Sequence, residues 1–170
     1  MSDVFHGGGL AAAARAHGIA PENWLDLSTG INPVPPVLPA LEPRLFHRLP
    51  DADLIRDVRE AVARFYGSGD ILPVLAPGTQ PLIRLLASAI EPAPVAILSP
   101  TYGEYGRVLE QAGFPVDLID DTDAVTSAHG LVVVVNPNNP DGRAFPPPRL
   151  TQLADECDRT GRLLVIDEAF

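Results

Sequence analysis

The 170-residue chain contains no lysine, and all 12 of its basic residues are arginine. Chemistry that needs a lysine amine is therefore beyond these residues alone. Cysteine is almost as scarce. Cys157 stands alone, which excludes an internal disulfide and points to a reducing, cytoplasmic setting. The four histidines (6, 17, 47 and 129) are scattered, and no His-x-x-His or Cys-x-x-Cys spacing occurs, so no metal site is expected. His17 and His129 read as surface residues, and Cys157, without an activating neighbour, as buried and inert. Basic charge is in short supply. Twenty-two acidic residues leave a net charge of −10, and no basic patch is evident, so nucleic acid is not an expected partner. The longest apolar run, Leu131 to Val135, is far too short to span a membrane. The N-terminus has no basic segment followed by an apolar one, so it is not a secretory signal. Ser99 lacks the G-x-S-x-G context of a hydrolase elbow.

Proline and glycine, by contrast, are plentiful, at 19 and 14 residues. They punctuate short elements. Leu10 to His17 reads as a helix closed by Gly18. Trp24 to Leu27 reads as a short strand or docking arm, and the proline-rich Asn32 to Pro39 as an extended surface segment. Asp51 to Tyr66 carries Leu54, Val58, Ala61, Val62 and Phe65 at helical spacing. Asp51 or Asp53 is its N-cap and Gly67 its stop, while Arg56, Arg59 and Arg64 alternate with Asp57 and Glu60 on a solvated face. Ile71 to Leu75 is a candidate strand, and Pro81 to Ile90 an apolar helix. Strands then alternate with helices: Val95 to Leu98, Tyr102 to Ala112, Val116 to Ile119, Leu131 to Val135, Leu150 to Arg159, Leu163 to Ile166. That alternation predicts an α/β fold with a mainly parallel sheet. In such sheets ligands sit beyond the carboxyl ends of the strands.

The residues expected at those ends can each be read in two ways. Gly78-Thr79-Gln80 opens a helix and could hold a phosphate on free N–H groups, or Thr79 could simply cap the helix. Tyr102 could stack on a flat ligand ring or pack at the rim of the core. Asn136 to Gly142 is a stiff, turned loop whose amides could face a polar ligand or serve as a connector. Asp167-Glu168 ends a buried strand and could act as a base, bind a metal, pair with a protonated ring nitrogen, or cap the next segment. His6-Gly7-Gly8-Gly9 could clasp an anion or be a flexible tail.

Taken in order, these pieces resemble one family. They are His6-Gly7-Gly8, Leu25 to Pro33, Arg48-Leu49-Pro50-Asp51-Ala52-Asp53, Pro77 to Gln80, Pro100-Thr101-Tyr102-Gly103-Glu104-Tyr105, Asn136 to Gly142, and Asp167-Glu168-Ala169-Phe170. The series resembles the N-terminal part of fold-type-I pyridoxal-phosphate enzymes of the class I/II aminotransferase superfamily. The opening His-Gly-Gly and closing Asp-Glu-Ala-Phe favour the branch of L-threonine O-3-phosphate decarboxylases of cobalamin biosynthesis over the related histidinol-phosphate aminotransferases.

The resemblance implies an incomplete three-layer α/β/α large domain, with residues 1–50 an N-terminal arm and the lead into the domain, and 51–170 the first part of the cofactor-binding domain. It implies pyridoxal 5'-phosphate as cofactor. Gly78, Thr79 and Gln80 would hold its phosphate, Tyr102 would stack on its ring, Asn139 would bond its phenolic oxygen, and Asp167 would pair with the ring nitrogen. Asp167 and Tyr102 are thereby the expected catalytic groups. His6, Gly7 and Asn32 would bind the substrate, a small phosphorylated amino acid. The intact enzyme would be a homodimer and a lyase. This chain, without the Schiff-base lysine that lies beyond the last motif, is expected to be a fragment inactive by itself. Three positions depart from the pattern. Leu49 stands where relatives often carry a tyrosine, Asp141 in place of a threonine, and Phe170 in place of a tyrosine. The alternatives are a histidinol-phosphate-type aminotransferase and a non-catalytic module that binds the cofactor or a partner.

Overall fold

The structure, a computed structural model, describes residues 7–30, 32 and 34–169. It divides into two compact units, one up to Val74 and one from Leu75.

In the first unit, α1 (Leu10–His17) ends at Gly18, whose φ of 65° closes the helix in the left-handed region. A second helix, α2 (Ala52–Tyr66), is capped by Asp51, which accepts the Leu54 N–H at 3.0 Å, and it ends at left-handed Gly67. Arg56 pairs with Asp53 at 2.9 Å on its polar face. The apolar stripe of α2 behaves differently from expectation. Leu54, Val58 and Phe65 are 45%, 42% and 82% exposed, and Ala63 is the helix's buried residue.

No strand forms at Trp24 to Leu27, which could be a short strand or a docking arm, or at the candidate strand Ile71 to Leu75. Trp24 to Leu27 is diverted by side chains, since the Trp24 indole donates to the Ile19 carbonyl and Asp26 turns the chain by accepting from both the N–H and the hydroxyl of Ser28. Ile71 to Leu75 fails for a related reason. The Arg59 guanidinium takes the carbonyls of Leu72 and Pro73, at 2.9 and 2.8 Å, for its own hydrogen bonds. Arg59 is thus not part of a purely solvated face.

The second unit is the predicted α/β layer structure. Its elements run α3 (Thr79–Ala89), β1 (Val95–Leu98), α4 (Glu104–Gln111), β2 (Val116–Ile119), β3 (Leu131–Val135), α5 (Pro147–Arg159) and β4 (Leu163–Asp167). All strand pairs are parallel, in the order β2-β1-β3-β4. α3 and α5 start two and three residues earlier than expected, because proline is accepted in a first helical turn.

β3 is buried along its whole length, so each face needs its own cover. Leu131, Val133 and Val135 point to one face and pack with Ile83 and Ala87 of α3 and Tyr105, Val108 and Leu109 of α4. Val132 and Val134 point to the other and pack with Leu153 and Cys157 of α5. The period-two alternation of one strand thus builds both cores of an α/β/α sandwich.

His129, expected at the surface, is buried beside the start of β3. Its Nδ1 accepts the Thr126 N–H at 2.9 Å and its Nε2 meets Asp117 at 3.1 Å, so both ring nitrogens are satisfied where water is excluded. Among the described residues no helix is long and apolar enough to cross a membrane, and no His, Cys, Asp or Glu cluster could hold a metal.

Leu109 is fully buried between α4 and the sheet. Leu109→Ala is expected to cost about 3 kcal/mol, read as a lower urea midpoint at unchanged slope.

Candidate functional site

The strand order reverses beside β1. The chain moves from β1 outward to β2 and then returns to β3 on the other side. At such a reversal the loops leaving the two neighbouring strands diverge and leave a crevice at their carboxyl ends. A cavity of about 500 Å³ lies there, and Gly78, Thr79, Gln80, Tyr102, Asn139 and Asp167 are all in its wall.

Gly78 makes the first wall. Its φ of 98° with ψ 178° is a conformation open to glycine, and it turns the chain into α3. No side chain caps this helix, so Thr79 does not play the N-cap role that was one reading of it. The first turn also carries no acidic residue. Its end therefore presents N–H groups and positive dipole to the cavity without an anion of its own.

The Gln80 amide donates to the Tyr102 hydroxyl at 3.2 Å and ties this helix end to the loop after β1.

The loops after β1 and β3 are locked together by one buried amide. The Oδ1 atom of Asn138 accepts from the Thr101 hydroxyl at 2.6 Å. Its Nδ2 donates to the Pro100 carbonyl at 2.8 Å and to Asp141 at 2.6 Å. Asn138 is 6% exposed, and all its hydrogen-bonding capacity on the amide nitrogen is used. Its neighbour Asn139 reaches the cavity, as does Tyr102 beside Thr101.

Asp141, which departs from the family pattern, belongs to the same network. Its carboxylate accepts from the Arg143 N–H and from Asn138, and these bonds hold it below the usual carboxylate range. Asn136 closes the loop's base by exchanging hydrogen bonds with Phe145.

Asp167 ends β4. The Asn136 N–H donates to its carbonyl at 2.8 Å, which fixes the strand end against β3. Its carboxylate receives the Tyr105 hydroxyl on Oδ2 at 3.0 Å and the Ala169 N–H on Oδ1 at 3.1 Å. Tyr105 stands in the Pro100 to Tyr105 motif, but its sequence context assigns it no role. The available signal was its place on the buried face of α4, three and four residues before Val108 and Leu109. Burial, and then the negative charge of Asp167, pushes the Tyr105 phenol above its ordinary value of 10.

Of the expected substrate residues, the two that are described, Gly7 and Asn32, lie in the first unit. Gly7 is pressed against Ser28, where an added Cβ would lie 1.9 Å from the Ser28 carbonyl oxygen. The neighbouring Gly8 N–H donates to the Ser28 hydroxyl at 2.8 Å. That hydroxyl in turn donates to Asp26, whose carboxyl it holds below the usual range. Asn32 spends its side-chain oxygen on the Val34 N–H at 2.9 Å. His6 and Phe170 lie outside the described residues.

With this geometry in hand, the likenesses to known proteins are specific. Residues 22–170 match the model of the family described as aminotransferase class I and II. A threonine-phosphate decarboxylase of Sinorhizobium sp. is 54% identical over 98% of this chain and 50% of its own length. One of Pseudomonas aeruginosa is 40% identical over 97% of this chain and 49% of its own. The chain thus spans about half the length of the curated relatives it matches. Among solved structures, an L-threonine-O-3-phosphate decarboxylase from Porphyromonas gingivalis superposes with a TM-score of 0.61 at 21% identity, covering 68% of this chain and 36% of that one, which speaks for the fold. An aspartate aminotransferase of Thermus thermophilus, in a double mutant, gives 0.55 at 27% identity, covering 66% and 35%. The family match takes in every strand of the sheet and each of the six cavity residues named above, and this chain belongs to the aminotransferase class I and II family.

Proposed function

We propose that this chain supplies the cofactor-binding part of a pyridoxal-phosphate-dependent carboxy-lyase. The reaction would convert L-threonine O-3-phosphate to (R)-1-aminopropan-2-ol O-2-phosphate in cobalamin biosynthesis. One observation carries the reading. The six residues that the family pattern assigns to the cofactor, drawn from four separate places in the sequence, meet in the wall of a single cavity. Relatives named threonine-phosphate decarboxylase, the first of them at 54% identity, support the choice of substrate. Enzymes of this family work with pyridoxal 5'-phosphate.

The residues fit that group. The uncapped start of α3 suits a phosphate dianion, through the N–H groups of Thr79 and Gln80 and the Thr79 hydroxyl. The Tyr102 ring supplies a flat apolar face, and the Asn139 amide a donor for a phenolate oxygen. Asp167 supplies the anion that a protonated ring nitrogen requires. A cavity of about 500 Å³ is in the range of small-molecule and cofactor sites.

When bound, pyridoxal phosphate supplies an electron sink for the pair released as a bond to the substrate's Cα breaks. The chain's own task is to hold the charges that make this possible. Asp167 keeps a proton on the ring nitrogen. Gln80, through the Tyr102 hydroxyl, keeps the aromatic ring in place at the helix end. Because the sequence has no lysine, the amine that tethers the cofactor's aldehyde is assigned to a residue outside it. His6, Gly7 and Asn32 are assigned to the substrate's phosphate and carboxylate ends. Residues 1–50 are taken as the N-terminal arm and 51–170 as the first part of the large domain, a division by role that differs from the boundary of compaction after Val74. The working unit is proposed to be a cytoplasmic homodimer.

Two measurements test this reading. The intact protein, as its gene encodes it and loaded with cofactor, should release carbon dioxide from L-threonine O-3-phosphate. One amine phosphate should form per carbon dioxide, without consumption of a 2-oxo acid. Transfer of an amino group from histidinol phosphate to a 2-oxo acid would make it an aminotransferase instead, and absence of cofactor absorbance would leave a non-catalytic module. Separately, Asn138→Ala strands the Thr101 hydroxyl, the Pro100 carbonyl and Asp141. It is expected to cost about 2 kcal/mol in thermal or urea unfolding, and to weaken cofactor binding in an equilibrium titration through the displaced Tyr102 and Asn139.

A further inference from the structure

Resting on the assignment of Asp167 to the ring nitrogen, we propose that Tyr105 is the positioning residue of that carboxylate. It fixes the carboxylate's rotation toward the cofactor cavity. Asp167 borders two hollows, the cofactor cavity and a second one of about 410 Å³ walled by Leu82, Leu86, Val165 and Tyr105. A strand-end carboxylate turns about its side-chain bonds unless something holds it. Here the Tyr105 hydroxyl holds Oδ2 and the Ala169 N–H holds Oδ1, at 3.0 and 3.1 Å. The Ala169 bond comes from the local turn, whereas the Tyr105 bond comes from a different element. Tyr105 is itself 3% exposed and packed in the core with Ile83, Val108 and Leu109.

The chemistry of this donor is one-directional. The charged or titratable groups that act on the phenol are Asp167 on β4 and Tyr102 just before α4. Burial and both of these groups disfavour a phenolate, so Tyr105 keeps its proton and donates. The phenol therefore holds Oδ2 as a donor and leaves the carboxylate's remaining lone pairs for its cationic partner. Tyr105 does not touch the reacting atoms. It acts through Asp167.

The test uses the intact protein and cofactor carrying 15N in the pyridine ring. Tyr105→Phe keeps the ring that fills the core and removes only the donor. It is expected to weaken cofactor binding about tenfold in an equilibrium titration, the loss of one hydrogen bond to a charged group. It should also move the ring 15N signal part of the way toward its unprotonated value. A role in packing alone would lower the melting temperature and leave that signal where it is. 3-Fluorotyrosine incorporated at position 105 is a stronger donor and should move the signal the opposite way, which keeps the test open if Tyr105→Phe folds poorly. Asp167→Asn is the reference and should move the signal fully. If it does so while neither change at Tyr105 has any effect, the proposal for Tyr105 is overturned and the role of Asp167 stands. If Asp167→Asn itself leaves both readouts unchanged, the role of Asp167 falls and the proposal for Tyr105 falls with it.

Discussion

The complete burial of β3 is the constraint from which the rest of the second unit follows. A run of Leu and four Val residues exposes no edge to water, and its alternate side chains must find apolar cover on two opposite faces. α3 and α4 meet one set, and α5 meets the other. A strand so covered sits inside the sheet, here between β1 and β4. The chain reaches it only after leaving β1 for β2 on the opposite side. The reversal of strand order is thus tied to the burial of β3, and the crevice at the carboxyl ends is a consequence of the reversal. The cavity needs no separate explanation once β3 is in place.

How much of this could be read beforehand depended on the range of the interactions involved. β1, β3 and β4 are legible because each is a short apolar run bounded by turn residues, and β2, which carries Asp117, because it falls in the same alternation with helices. The motifs at the strand ends were legible as candidates because polar, Gly- or Pro-rich turns follow those runs directly. Trp24 to Leu27, a short strand or docking arm by its sequence, and Ile71 to Leu75, a candidate strand, have similar local composition but form no strand. What decided against them was the Asp26 turn and the Arg59 guanidinium, 13 and 14 residues from the carbonyls it occupies. Local pattern carries no trace of such bonds. His129 illustrates the same limit. Its burial depends on Asp117, 12 residues earlier on β2, and on the register of that strand. The apolar stripe of α2 was visible in the sequence, but periodicity says only that a face is apolar, not that anything covers it.

The site shows a pattern that no single motif carries. The residues facing the cavity are placed by bonds that their neighbours, or other elements, make. Thr101 is bonded to Asn138, so Tyr102 and Asn139, the next residue in each loop, are set relative to one another. The backbone of Asp167 is held by Asn136 and its carboxylate by Tyr105. Loop residues left to themselves would sample many rotamers, and ordering them on ligand binding would cost affinity. Here the ordering is done in folding, by groups whose hydrogen-bond partners are already satisfied. That division of labour explains why the buried amide of Asn138 and the buried phenol of Tyr105, neither of them a wall of polar contacts to a ligand, are built so deeply into the unit. It also explains why an aspartate is at home at position 141, where its short side chain accepts from both Asn138 and Arg143 and joins the same framework. A site assembled in this way places opposite charges at its two ends, helix dipole at Gly78 to Gln80 and carboxylate at Asp167, before any ligand arrives. A ligand with an anionic group at one end and a cationic ring at the other meets both without rearrangement.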